Sequence, residues 1–206
     1  MNHREQNRIS VFGVPLGFGA GTPGSELGIN AMRISQVRGK ILSEHIRDLG
    51  YEVIDRGDVD IVSPKTSFDT GNPRHLAEMI ASSNNIISAL SEILAEGDFP
   101  IILGGDHAIA IPTFSAISNH YRQQGKEVGL IWFDAHSDMN TPESSPSGNV
   151  HGMPLAAIMG SLALFARQVG RRQFALNTLL IVALLICCSF SQRYLNSQRE
   201  SMGMTR

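Results

Sequence analysis

The run Trp132-Phe133-Asp134-Ala135-His136-Ser137-Asp138-Met139-Asn140 places two carboxylates and an imidazole at i, i+2 and i+4. It follows the apolar segment 128–133 directly, and that segment reads as a buried strand. Alternate residues of an extended chain point the same way, so Asp134, His136 and Asp138 are expected on one face at the strand's C-terminal end. Open α/β sheets bind their ligands at that end. A mixed oxygen and nitrogen donor set suits manganese, iron or zinc. A solvated loop mouth, the plainer reading, explains neither the alternation nor the position after an apolar strand.

Leu103-Gly104-Gly105-Asp106-His107 is a second such element, a strand end followed by a glycine turn and a histidine. The turn can carry His107 over the sheet edge, and its strand is expected beside the one that feeds Asp134. The structural alternative is an Asp106 that caps a helix and a surface His107. Four ligands could hold one ion. Metal-assisted hydrolysis often uses two ions with a bridging carboxylate, and Asp134, the deepest of the set, is the natural bridge. Either arrangement lowers the pKa of bound water. The third element is Ser145-Pro146-Ser147-Gly148-Asn149-Val150-His151-Gly152. Ser147 and Asn149 offer hydroxyl and amide groups to a polar substrate. His151 is suited to serve as acid, base or proton shuttle. An ordinary turn-rich loop with His151 near a helix start is the alternative.

These residues need a scaffold, and the pattern supplies one. Strands are expected at 9–14, 51–54, 100–103 and 128–133. Helical patterns run over 27–49, interrupted near Gly39, and over 73–95 and 109–122, the last starting at about Pro112. A further helix opens within 151–160. The βαβαβαβ order predicts parallel strands with helices on both faces, a three-layer α/β fold. No internal repeat is found.

Composition bounds the rest. With 206 residues, 42% apolar and 17% charged, the chain suits one globular domain with a real core. A net charge of −2 gives no footprint for nucleic acid. Cys187 and Cys188 are adjacent, so no disulfide framework is expected, and a reducing, cytoplasmic setting follows. Residues 1–8 lack the apolar stretch of a secretory signal. From Gly152 onward six arginines stand against one glutamate, a net +5, which leaves −7 for the remainder. Within that stretch 174–190 is nearly all apolar, with Arg167, Arg171 and Arg172 before it and Arg193 after. A buried core helix, off-frame sequence and a short membrane span are the readings of 174–190, the last at the lower length limit.

Gly-Gly-Asp-His at 104–107 and Asp-Ala-His-x-Asp at 134–138, with the Ser147–His151 segment, resemble the arginase/agmatinase (ureohydrolase) family over roughly residues 9–160. Asn140-Thr141-Pro142 and Ser147-Gly148-Asn149-Val150-His151-Gly152 resemble its arginase branch. The resemblance implies a mostly parallel three-layer α-β-α fold and hydrolysis of the L-arginine guanidinium to ornithine and urea at a di-manganese centre. It implies His107, Asp134 and Asp138 as ligands of one manganese, and His136 with bridging Asp134 as ligands of the other. It gives Asn140, Ser147 and Asn149 to the α-carboxylate and α-amino end of the substrate, and proton transfer to His151. It also implies a homo-oligomer. A cationic guanidinium is a poor electrophile, so an activated water and a proton donor for the leaving amine are both required.

The family carries a later Asp-x-Asp pair, and this sequence has no aspartate after Asp138. The expectation is therefore an incomplete arginase-like domain over 1–160, with the C-terminal part of the sheet missing. An atypical tail over 161–206 follows, as from a truncated or frame-shifted product, with activity absent or impaired. Two rivals remain. One is a dinucleotide site on Gly19-Ala20-Gly21-Thr22-Pro23-Gly24, which fits G-x-G-x-x-G, with Glu52 or Asp55 near a ribose. The strand ends at about Val14, too early for the tight turn that motif requires. The other is a non-catalytic, metal-binding or membrane-tethered fragment.

Overall fold

Residues with alternating or continuous apolar runs pair first. The computed structural model describes residues 7–21, 23–66, 69–160 and 179–183, the last by backbone alone. β1 (Arg8–Val14), β2 (Glu52–Asp58) and β3 (Phe99–Gly104) form a parallel sheet in the order β2-β1-β3. β1 is central and its last six residues are all buried, as a parallel strand covered on both faces must be. Its register with β3 runs unbroken from Ile9 opposite Phe99 to Val14 opposite Gly104. The two strands therefore end together, and the loops that leave them start from one edge.

Among the described residues five helices accompany the strands: α1 (Gly28–Ile34), α2 (Leu42–Asp48), α3 (Leu76–Ala95), α4 (Ala110–Gln123) and α5 (Pro154–Ile158). Ile29 and Ile46, from α1 and α2, pack with Ile9, Val11 and Leu103 on one sheet face. On the other face Phe12 and Val14 meet Met79, Ile86, Leu90 and Ile93 of α3, Ile111 of α4 and Ala157 of α5. The layers are helix, parallel sheet, helix, as the strand–helix alternation predicts. The pattern over 27–49 is indeed broken near Gly39, where Val37 and Lys40 form an antiparallel bridge and Gly39 takes φ 76°. α4 begins at Ala110, two residues before the expected start, because a 3-10 turn over His107–Ile109 leads into it and Pro112 still lies in the first turn.

Met1–Val128 with Asp138–Ala175 make one compact unit, and Gly129–Ser137 with Leu176–Arg206 a second. In the second unit β4 (Leu130–Asp134) pairs in parallel with β5 (Leu179–Ala183), Leu130 opposite Leu179 and Asp134 opposite Ala183. Among the described residues the ladders are β1–β2, β1–β3 and β4–β5. Of the readings of 174–190, the core helix does not hold at Leu179–Ala183, which is strand. Short apolar runs do not distinguish the two by periodicity. The rest of 174–190, and with it the membrane reading, lies outside the described residues. Among the described residues no helix is long and apolar enough to cross a membrane.

β4 also corrects an expectation of uniform burial. Trp132 is buried, whereas Ile131 and Phe133 are 72% and 74% exposed. The strand behaves as one with a covered and an open face.

Candidate functional site

The C-terminal edge of β1 and β3 is where chemistry-bearing side chains gather in the first unit. β3 ends at Gly104, and Gly105 must pass the backbone of Leu16. A Cβ at Gly105 would sit 2.0 Å from the Leu16 carbonyl oxygen, so only glycine fits. The Asp106 N–H donates to that same oxygen at 2.7 Å. Asp106 then caps the turn that carries His107, its Oδ1 accepting from the Ala108 N–H at 2.9 Å. The capping reading of Asp106 is thus correct.

His107 is half-exposed, and its Nδ1 lies 2.7 Å from Oδ2 of Asp138. Asp138 is 8% exposed, and its Oδ2 is buried against that imidazole. A ring nitrogen and a carboxylate oxygen thus meet at a spacing that a shared proton or a shared cation suits. Asp138 is one of three non-glycine residues with positive φ among the described residues, at 49°, a conformation aspartate tolerates better than most. Its carbonyl accepts from Leu155 N and Ala156 N at 3.1 and 3.3 Å, which ties the bend to the start of α5. Left-handed non-glycine residues persist where surrounding contacts enforce them.

The same-face argument for Asp134, His136 and Asp138 needs correction. β4 stops at Asp134. Oδ1 of Asp134 accepts the His136 N–H at 2.8 Å, an aspartate turn that curls the chain out of the strand. His136 stands 76% exposed, its Nδ1 3.6 Å from Asp134 Oδ1. The alternation therefore holds only for Asp134; the other two positions lie in bend and loop.

The 140–151 segment is pinned in the first unit. Asn140 N donates to Gly152 O at 3.1 Å, and its Oδ1 is 3.5 Å from the Ser144 hydroxyl. Ser147 is exposed and its Oγ accepts the Asn149 N–H. Asn149 Nδ2 donates to Ala20 O at 2.9 Å, and His151 Nδ1 lies 3.0 Å from Gly19 O. Oδ2 of Asp106 accepts the Ala20 N–H at 3.2 Å. Burial pushes the Asp106 carboxyl above its ordinary pKa, although the N–H groups of Ala108, Gly19 and Ala20 and the His151 charge pull the other way. From the opposite side the loop 69–75 docks: Arg74 N donates to Gly148 O at 2.9 Å and the Asn72 side chain to Pro142 O.

This answers the dinucleotide rival. The Gly19–Gly21 backbone is already engaged by Asp106, Asn149 and His151, and a carboxylate occupies Ala20's N–H where a pyrophosphate would need it. Asp55 is committed to Arg33 at 3.0 Å. Sequence reasoning missed that Asp106 and the Gly19–Ala20 backbone belong to one arrangement. Their contacts span 86 to 132 residues, and only the small Gly19-Ala20-Gly21 run hinted at a crowded backbone.

A family model described as the Arginase family matches residues 7–189. The arginase of Bacillus caldovelox is 39% identical over 154 residues, 74% of this chain and 48% of that protein. The arginase of Bacillus subtilis strain 168 is 40% identical over 152 residues, again 74% of this chain and 48% of the relative. This chain therefore spans about half the length of the curated relatives it matches. The native Bacillus caldovelox arginase structure superposes with a TM-score of 0.75 at 32% identity, covering 93% of this chain and 62% of that one. Entamoeba histolytica arginase in complex with L-ornithine gives 0.66 at 27% identity, covering 85% and 55%.

Proposed function

The chain belongs to the arginase family, and from that premise we propose that it carries the metal-binding and substrate-end half of an L-arginine hydrolase that forms L-ornithine and urea. The observation that carries this reading is the buried Asp138 Oδ2 facing His107 Nδ1 at 2.7 Å. His107, Asp138 and Asp134 are the proposed ligands of one ion, one imidazole nitrogen and two carboxylates, residue types suited to a divalent ion. His136 joins them as a ligand of a second ion, and manganese is the proposed metal. Bound there, the metal supplies Lewis-acid activation of water at neutral pH.

The chain's own groups do the rest. His107 and Asp138 come pre-oriented by the glycine turn and by the α5 amides. Asn140, Ser147 and Asn149 bind the amino-acid end of the substrate, and His151 moves the proton to the leaving amine. That a relative's structure holds L-ornithine supports the substrate class. No aspartate follows Asp138 in this sequence, and turnover by these residues is proposed to be impaired. A cytoplasmic location and homo-oligomeric assembly complete the reading.

Thermal melting with added Mn²⁺ tests it. The expected result is a rise in Tm that Asp138→Asn abolishes, with urea release from L-arginine slow or nil on the same sample. An equal rise in Asp138→Asn, or a rise with NAD and none with Mn²⁺, contradicts the assignment.

A further inference from the structure

Three side chains from distant parts of the chain converge on the Gly19–Ala20 segment. Asp106 takes the Ala20 N–H, Asn149 donates to the Ala20 carbonyl, and His151 Nδ1 meets the Gly19 carbonyl. A carbonyl oxygen only accepts, so Nδ1 of His151 must carry the proton. In the neutral ring Nε2 is then the basic atom, the one free to take a proton and return it. The Gly19 carbonyl and the Ala20 N–H belong to one peptide plane. Whatever holds the N–H therefore also aims the carbonyl.

We propose that Asp106 is a positioning residue: by accepting the Ala20 N–H it aims the Gly19 carbonyl, which keeps His151 in its Nδ1–H form with Nε2 presented for proton transfer. This rests on the reading of His151 as the proton-transfer group. The geometry asks for a carboxylate. Oδ1 serves Ala108 and Oδ2 serves Ala20, so an asparagine would turn an N–H donor toward one of two N–H donors. It also asks for glycine at 19, because a Cβ there would lie 2.7 Å from Asp106 Oδ1.

Long-range ¹H–¹⁵N correlation of the imidazole rings, on metal-free labelled protein at alkaline pH, reads the tautomer directly. His45 is an internal control, since its Nε2 lies 2.8 Å from Val37 O and must take the opposite tautomer. Wild-type His151 is expected as Nδ1–H and His45 as Nε2–H. In folded Asp106→Asn the Nδ1–H to Nε2–H ratio of His151 is expected to fall about 2- to 10-fold, the loss of one ordinary hydrogen bond, with His45 unchanged. Asn149→Ala leaves the Asp106 bond in place and is expected to hold the wild-type ratio. Should Asp106→Asn not fold, Gly19→Ala displaces the same carboxylate and is expected to give the same fall. A wild-type His151 in the Nε2–H form overturns the proposal. So does an unchanged ratio in folded Asp106→Asn or Gly19→Ala, or an equal fall in Asn149→Ala. Manganese plays no part in this readout, so its failure and a failed manganese titration are told apart.

Discussion

Two strand ends of this chain carry the same kind of motif and are built in opposite ways. After β3, Asp106 is buried and bonded to backbone from positions 20 and 108, and the glycine turn is locked against Leu16. After β4, Asp134 accepts the N–H of His136, two residues ahead, and His136 is mostly exposed. The first end is fixed by contacts that span much of the chain. The second carries a local turn, next to a strand whose Ile131 and Phe133 are exposed. A donor group held by long-range contacts is pre-positioned before any ligand arrives. A donor held by a local turn gains most of its order on binding. Damage at the first end should therefore appear as lost stability, and damage at the second as lost metal affinity with stability nearly intact.

The sharpest way to break the comparison is Gly105→Ala. Its Cβ would meet backbone, not a movable side chain, so a loss at or above the upper end of about 1–3 kcal/mol is expected in denaturant unfolding. A variant as stable as wild type would show that the β3 end is not locked.

Next in size is Asp98, at the start of β3, with a side chain 1% exposed. Burial alone would raise its carboxyl, but Ser10, Arg56 and Arg8 outweigh that and hold its pKa below the usual carboxylate value. Arg8 and Arg56 are partly exposed and re-hydrate when it is lost, so Asp98→Ala should cost about 2–3 kcal/mol, less than a fully buried pair. Because the folded value is depressed, this stabilisation is complete above the unfolded carboxylate pKa of about 4. It fades as pH falls below that, through the folded value. Asp98→Asn should flatten the acid limb of a stability-versus-pH curve; an unchanged limb would remove Asp98 from the account.

Asn72→Ala removes one bond from loop 69–75 to Pro142 and should cost about 1 kcal/mol. Hydrogen exchange at Gly148 and Asn149 should quicken with it. The smallest effect on stability is expected at the β4 end. His136→Ala should stay within about 0.5 kcal/mol of wild type, yet weaken manganese binding by more than about 10-fold. A large stability loss there would erase the contrast between the two ends.

Much of this was legible in the sequence. β1, β3 and α3 announce themselves because continuous or periodic apolar runs leave few alternatives, and the strand–helix alternation dictates a parallel sheet. Asp134, His136 and Asp138 were recognisable as donors from type and spacing. Their geometry was not, because the Asp134 carboxylate captures the His136 N–H and ends the strand, a competition that alternation does not encode. At Leu179–Ala183 the sequence leaves core helix, off-frame sequence and membrane span open, because five apolar residues carry no period. The tie between Asp106, Asn149, His151 and the Gly19–Ala20 backbone was invisible for another reason: each bond joins residues more than eighty positions apart, and one sequence holds no signal for such pairs.

The most direct test of the central claim is manganese stoichiometry on purified, monodisperse protein, with wild type and Asp138→Asn dialysed side by side. After dialysis the account predicts at most one ion retained per wild-type chain, the ion at His136 being too weakly held to survive, and none in Asp138→Asn. Two ions per wild-type chain with sustained urea release, or equal metal in both proteins, would contradict it.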